Sequence, residues 1–188
     1  MKVPQLKKKT ELKSCHNTNW EDDYSWVHQP NILEVLKDSS KLDPEVRKYL
    51  EEENNYTEHH LKDTKGIQKT LFDEIKGRIK LDDESIPFKD RNYEYWTKTT
   101  TKGNYSIKLR KKIGTDLIEE YWNGDEEKKK LNTEYFGVGD IEVSYNDKIL
   151  GYSLDLKGSE YYTIYLRDIK TNKIISKEIT ETSGGITF

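Results

Sequence analysis

The sequence predicts an α+β chain: an N-terminal arm and a long helical segment, followed by antiparallel β-sheets. Three observations predict it. Between residues 43 and 79, apolar and aromatic side chains recur at Val46, Tyr49, Leu50, Tyr56, Leu61, Ile67, Leu71, Phe72, Ile75 and Ile79, a helical stripe. From residue 93 the period changes to two: Tyr93, Tyr95 and Thr97 share one strand face, and Tyr105, Ile107 and Leu109 share the next. Residues 148–180 then read as three runs rich in β-branched and aromatic residues, 149–154, 161–166 and 174–179, broken by turns at 155–159 and 170–173. A three-strand meander closed by polar turns is most of one propeller blade, and a lone meander leaves a face uncovered.

Taken in order, residues 1–19 are polar and lysine-rich with Pro4 as a breaker, so an extended arm is expected. Residues 20–26 (WEDDYSW) carry enough aromatic surface to plug such an arm onto a body. Residues 31–37 predict a short helix, completing an arm region over 1–42. Asp43 as N-cap and Pro44 at the first helical position start the main helical segment, 43–81. That segment is on the order of 50 Å long if unbroken, with Gly66 as its weak point. Residues 86–188 are the β part. Its turns fall at 101–104, at Gly114-Thr115 and at 145–147, and residues 123–131 read as a polar loop with room for one helical turn. After Gly184-Gly185 a strand-like Ile186-Thr187-Phe188 begins, and the chain is expected to be truncated inside it.

Composition narrows the function. Charged residues make up 36% of the 188, and the hydrophobic share is only 32%, a thin supply for a self-sufficient core. A net charge of -3 and short lysine runs at 7–9 and 128–130 argue against nucleic acid. Cys15 is the single cysteine, no run has membrane-spanning length and no signal-peptide apolar run is visible, so a cytoplasmic chain is expected.

No catalytic, cofactor-binding or metal-binding residue stands out. Gly158-Ser159-Glu160 lacks the G-x-S-x-G frame and a nearby histidine, and reads as a turn. His59 and His60 are adjacent on a helix and so diverge, and Cys15-His16 and His28 are isolated. Gly137-Val138-Gly139 is too short for a phosphate loop, and Asp140 with Asp147 does not build a calcium loop. The remaining non-catalytic reading is a free-standing β-module that binds a protein partner or glycan through Trp20, Trp26, Trp96 and Trp122.

Several stretches together resemble the N-terminal part of oligopeptidase B-type serine peptidases of the prolyl oligopeptidase family. Asp22 to Trp26 is similar to the family's D-x-Y-x-W element, and residues 46–56 (VRKYLEEENNY) to its V-x-x-Y-L-x-x-E-N-x-Y helix. Residues 74–79 match E-I-x-x-R-I, and 93–110 resemble the first propeller hairpin. Residues 151–162 follow A-Y-S-x-D-x-x-G-x-E-x-Y through Gly151, Tyr152, Ser153, Asp155, Gly158, Glu160 and Tyr162. The departures are Val27-His28 in place of Leu-Arg, Gly151 for alanine, and Asn172 where glycine is usual. The resemblance implies the start of a seven-bladed β-propeller joined to a C-terminal α/β-hydrolase domain whose Ser-His-Asp triad cleaves short peptides after Lys or Arg. It also implies that the triad lies beyond residue 188, so that none of it maps onto this sequence. From Pro87 onward there is room for about two blades. An open sheet edge near Gly185 and hence self-association of the isolated chain are expected.

Overall fold

The computed structural model describes residues 1–176 and 178–188. The chain divides into two compact units, Met1–Arg78 and Ile79–Phe188.

In the first unit, β1 (Glu11–Cys15) and β2 (Thr18–Asp22) pair antiparallel. The predicted extended arm therefore contains a hairpin. Its two-residue turn puts His16 and Asn17 at φ of 49° and 62°. A turn with both central residues left-handed matches the twist of the flanking strands. Histidine and asparagine tolerate that conformation, but they are weaker signals than Asn-Gly. Helix α1 (Ile32–Lys37) forms where a short helix is expected. Helix α2 (Pro44–Leu61) begins as predicted: the Asp43 carboxylate accepts from the backbone N–H of Glu45 at 2.8 Å and of Val46 at 3.2 Å.

The long helix is broken, and not at Gly66. A 3-10 turn at Lys62–Thr64 separates α2 from α3 (Lys65–Gly77). The Thr64 hydroxyl donates to the Leu61 carbonyl at 2.6 Å, a local alternative to the helical ladder. Gly66 lies inside α3 without interrupting it. The apolar stripe of the segment is exposed: Leu50, Leu61, Ile67, Leu71, Phe72 and Ile75 all face solvent.

The second unit is two antiparallel sheets. The first sheet holds β3 (Asp83–Glu84), β4 (Phe88–Asp90), β5 (Tyr93–Thr99), β6 (Ile107–Lys112) and β7 (Ile118–Asn123). Strands β5, β6 and β7 form a sequential meander, and β3 and β4 both pair with β5. Residues 124–131 are a full helix, α4 (Gly124–Leu131), where a polar loop is expected. The Asn123 side chain caps it by accepting from the Glu126 N–H at 3.3 Å, and Asn132 ends it at φ 49°. Acidic residues fill its first turn and lysines its last, each complementing the helix dipole.

The second sheet holds β8 (Gly137–Val143), β9 (Ile149–Asp155), β10 (Tyr162–Asp168), β11 (Lys173–Ile174) and β12 (Ile179–Thr182). Strands β8, β9 and β10 are a meander, and both β11 and β12 pair with β10. The run expected as one strand over 174–179 is thus two short pieces, with Lys177 outside the described residues. The end is also not a strand. The Ile186 N–H donates to Asp140 at 3.0 Å, and Ile186 and Phe188 lie over Gly151.

The core lies where the two sheets meet: Trp122 from the first sheet packs with Phe136, Leu150, Tyr152 and Leu154 of the second sheet and its entry. The Trp122 and Tyr152 rings are 4.9 Å apart. Gly139 is required by close approach, since a Cβ there would stand 2.5 Å from the Ser153 hydroxyl oxygen. That hydroxyl accepts from the Asp140 N–H at 2.8 Å and donates to the Gly184 carbonyl at 2.6 Å.

The β9–β10 turn is organised by Asp155, buried at 2% exposure. Its carboxylate accepts from the backbone N–H groups of Lys157 at 2.9 Å, Gly158 at 3.0 Å and Glu160 at 2.8 Å. Gly158 and Glu160 both have positive φ, so the turn needs this anchor. Asp155→Ala strands three backbone donors and is expected to lower unfolding free energy by about 2–3 kcal/mol. Asp155→Asn, which keeps an acceptor oxygen, costs less. Urea denaturation followed by tryptophan fluorescence measures both.

Candidate functional site

The second unit concentrates its buried charge between the two sheets. Asp147 sits in the β8–β9 turn at φ 60°. Its carboxylate receives Asn92 Nδ2 at 2.8 Å, and Arg91 Nε and the Tyr95 hydroxyl at 3.3 Å each. Its backbone carbonyl receives Arg110 Nη1 at 2.7 Å. Arg110, on β6, also donates through Nε to Glu119 on β7 at 2.8 Å, and its guanidinium lies 4.2 Å from the Tyr93 ring centroid. Cross-strand register places Tyr95 opposite Arg110 and Arg110 opposite Glu119, so three neighbouring strands present these groups on one face.

A second buried guanidinium repeats the device. Arg167 on β10 donates to Glu127 of α4 at 2.7 Å and to the Tyr121 carbonyl at 3.3 Å. It lies 5.0 Å from the Tyr152 ring and 5.6 Å from Trp122. Beside Arg110 opens a cleft of about 740 Å³ lined by Tyr93, Glu119, Glu120, Lys148, Asp168 and Lys170 among others. The buried cations are matched by carboxylates and carbonyls, as buried charge requires. Burial raises the Tyr95 and Tyr121 phenols above their ordinary value, and Tyr152 is pushed up to about 12 by the same cause.

This arrangement clamps the two sheets together. All four histidines lie at or before residue 60, in the first unit. No serine of the second unit therefore has an imidazole base within its own unit. Ser159 sits in the Asp155 turn, with its hydroxyl 3.4 Å from that carboxylate. His59 and His60 stand edge to face at 5.3 Å, and His59 Nε2 is 3.4 Å from the Met1 amine. Cys15 is exposed in the β1–β2 hairpin. Among the described residues no three His, Cys, Asp or Glu side chains group to hold a metal ion, and no helix is long and apolar enough to cross a membrane.

The tryptophan platform is overturned. Trp96 and Trp122 are 8% and 2% exposed and belong to the interior. Trp26 is half-buried with its indole N–H donating to the Lys7 carbonyl at 2.9 Å, which leaves Trp20 alone as an exposed tryptophan. Alternation along a strand tells which residues share a face; it does not tell that both faces of β5 are covered.

Residues 4–187 match the model of the prolyl oligopeptidase N-terminal β-propeller domain. The dipeptidyl aminopeptidase BI of Pseudoxanthomonas mexicana is 27% identical over 98% of this chain, which spans 26% of that protein. Protease 2 of Moraxella lacunata is 24% identical over 95% of the chain and 25% of its own length. The structure of oligopeptidase B from Leishmania major has the same fold over 99% of the chain and 27% of its own, with a TM-score of 0.80 at 21% identity. The chain thus spans about a quarter of the length of the relatives it matches.

Two outcomes follow from the clamp. Arg110→Ala strands the buried Asp147 carbonyl and removes the partner of the partly exposed Glu119, and is expected to cost about 1–3 kcal/mol in urea denaturation. Arg110→Lys restores only part, because an ammonium lacks the forked donors. The second concerns pH. Tyr152 is held neutral by burial, with a folded value above its ordinary 10.0. Its contribution to stability is complete below pH 10 and is lost as pH rises toward 12. Tyr152→Phe should therefore flatten the alkaline limb of a stability–pH profile without changing the acid limb.

Proposed function

This chain belongs to the prolyl oligopeptidase family through its N-terminal β-propeller domain, and from that premise we propose that it forms the helical brace and first blades of an oligopeptidase B-like serine endopeptidase cleaving short peptides after Lys or Arg. The observation that carries the reading is the ordered run of family motifs on two blade-like sheets, with a clamp between the sheets. In this reading an α/β-hydrolase domain of the whole protein supplies the triad. The sheets begin the gate that limits access to short peptides. Ile67, Leu71, Phe72 and Ile75 form an exposed apolar stripe on α3, which fits a helix that braces domains.

The Pseudoxanthomonas mexicana relative's name favours a second reading, removal of dipeptides from a free N-terminus. The two are separated by substrate. A protein that carries this chain together with an α/β-hydrolase domain is expected to hydrolyse an N-blocked Arg or Lys substrate, and residues 1–188 alone are expected to leave it untouched. Hydrolysis by residues 1–188 would sink the proposal. Cleavage only of substrates with a free amino terminus decides for the dipeptidyl reading.

A further inference from the structure

We infer that the corner formed by Trp26 and Glu45 is a recognition site for the cationic side chain of a basic peptide, and that the chain's own Lys9 occupies it in cis. The Lys9 ammonium lies 4.0 Å from the Trp26 ring centroid and 2.7 Å from the Glu45 carboxylate. An aromatic face and a carboxylate on one ammonium are the two elements that select a cation over a neutral side chain. Glu45 is held below the usual carboxylate range, chiefly by its hydrogen bond to Lys9.

The corner is a built one. Trp26 is pinned by its indole N–H on the Lys7 carbonyl at 2.9 Å, so the ring cannot rotate away without losing a bond. Asp23 fixes the surrounding turn: it takes Lys8 Nζ at 2.6 Å and the Thr10 hydroxyl at 2.7 Å, and its carbonyl takes the Lys9 N–H at 2.9 Å. Glu45 is set by the first turn of α2, whose start the Asp43 cap determines. Beside the corner runs a groove of about 250 Å³, walled by Trp26, Tyr49, Glu45 and Glu52 and bordered by Lys7 and Lys48. The bordering lysines disfavour a run of cations, so the ligand class is a peptide with one basic residue between neutral neighbours.

Lys9 is displaceable. The side chains of Lys9 and Glu45 are 38% and 55% exposed, so the grip is screened by water. A tethered lysine competes at an effective concentration in the ~mM range, so removing it should tighten binding of an external cation. This inference concerns the first unit alone and is independent of the peptidase reading.

The test is an NMR titration of the whole chain, following the Trp26 indole resonance, with acetyl-Gly-Gly-Lys-Gly-Gly-amide. Lys9→Met is expected to tighten binding roughly fivefold over the unmodified chain. Adding Glu45→Gln to Lys9→Met should reverse most of that gain. The same peptide with glutamate in place of lysine should leave the resonance unmoved. Equal or weaker binding by Lys9→Met, or an equal response to the glutamate peptide, overturns the inference. Dispersion of the remaining amide resonances confirms that each variant is folded.

Discussion

Asp147 is the point at which one sheet is locked to the other. It sits in the β8–β9 turn of the second sheet, yet its carboxylate and carbonyl partners, Arg91, Asn92, Tyr95 and Arg110, all come from strands of the first sheet or from its β4–β5 turn. A small meander buries one face at most when it stands alone. Stacking two such sheets buries the inner pair of faces, but apolar packing alone tolerates sliding. Directional bonds to a buried turn residue do not. The apolar core around Trp122 and Tyr152 therefore acquires a single register from a polar contact at its margin.

Arg167 repeats the logic through α4. That helix forms because its ends are chemically complete, with an asparagine cap, acidic first turn and lysine last turn. Once formed, it delivers Glu127 to a buried guanidinium on β10. A local propensity thus becomes an inter-sheet constraint. Both arginines also lie near aromatic rings, which lets their planar faces pack while their edges bond.

Much of the fold was legible. Asp43-Pro44 announced α2, the change of period at Tyr93 announced the sheets, and the 155–159 break announced the Asp155 turn. The misses have physical causes. Residues 16–17 make a tight hairpin without the usual glycine, the helix breaks at Thr64 through a side-chain hydrogen bond, and α4 is too short for a periodic apolar signal. The clamp was not legible at all: Arg110 and Asp147 are 37 residues apart, and nothing local distinguishes them from solvated charges. Nor was the burial of Trp96 and Trp122, because strand alternation does not say what lies beyond each face.

The α+β class, the order of arm, helices and meanders, and, through motifs spread over the chain, the family were all readable before any coordinates. These follow from short-range chemistry: caps, turn residues and side-chain period act within a few residues of where they are read. Tertiary structure was needed to decide which charges are buried, which aromatics are core rather than surface, and that Lys9 lies on Trp26 and Glu45. Those outcomes depend on pairs brought together across the chain, and the energy of a buried ion or a ring contact exists only once both partners share one environment.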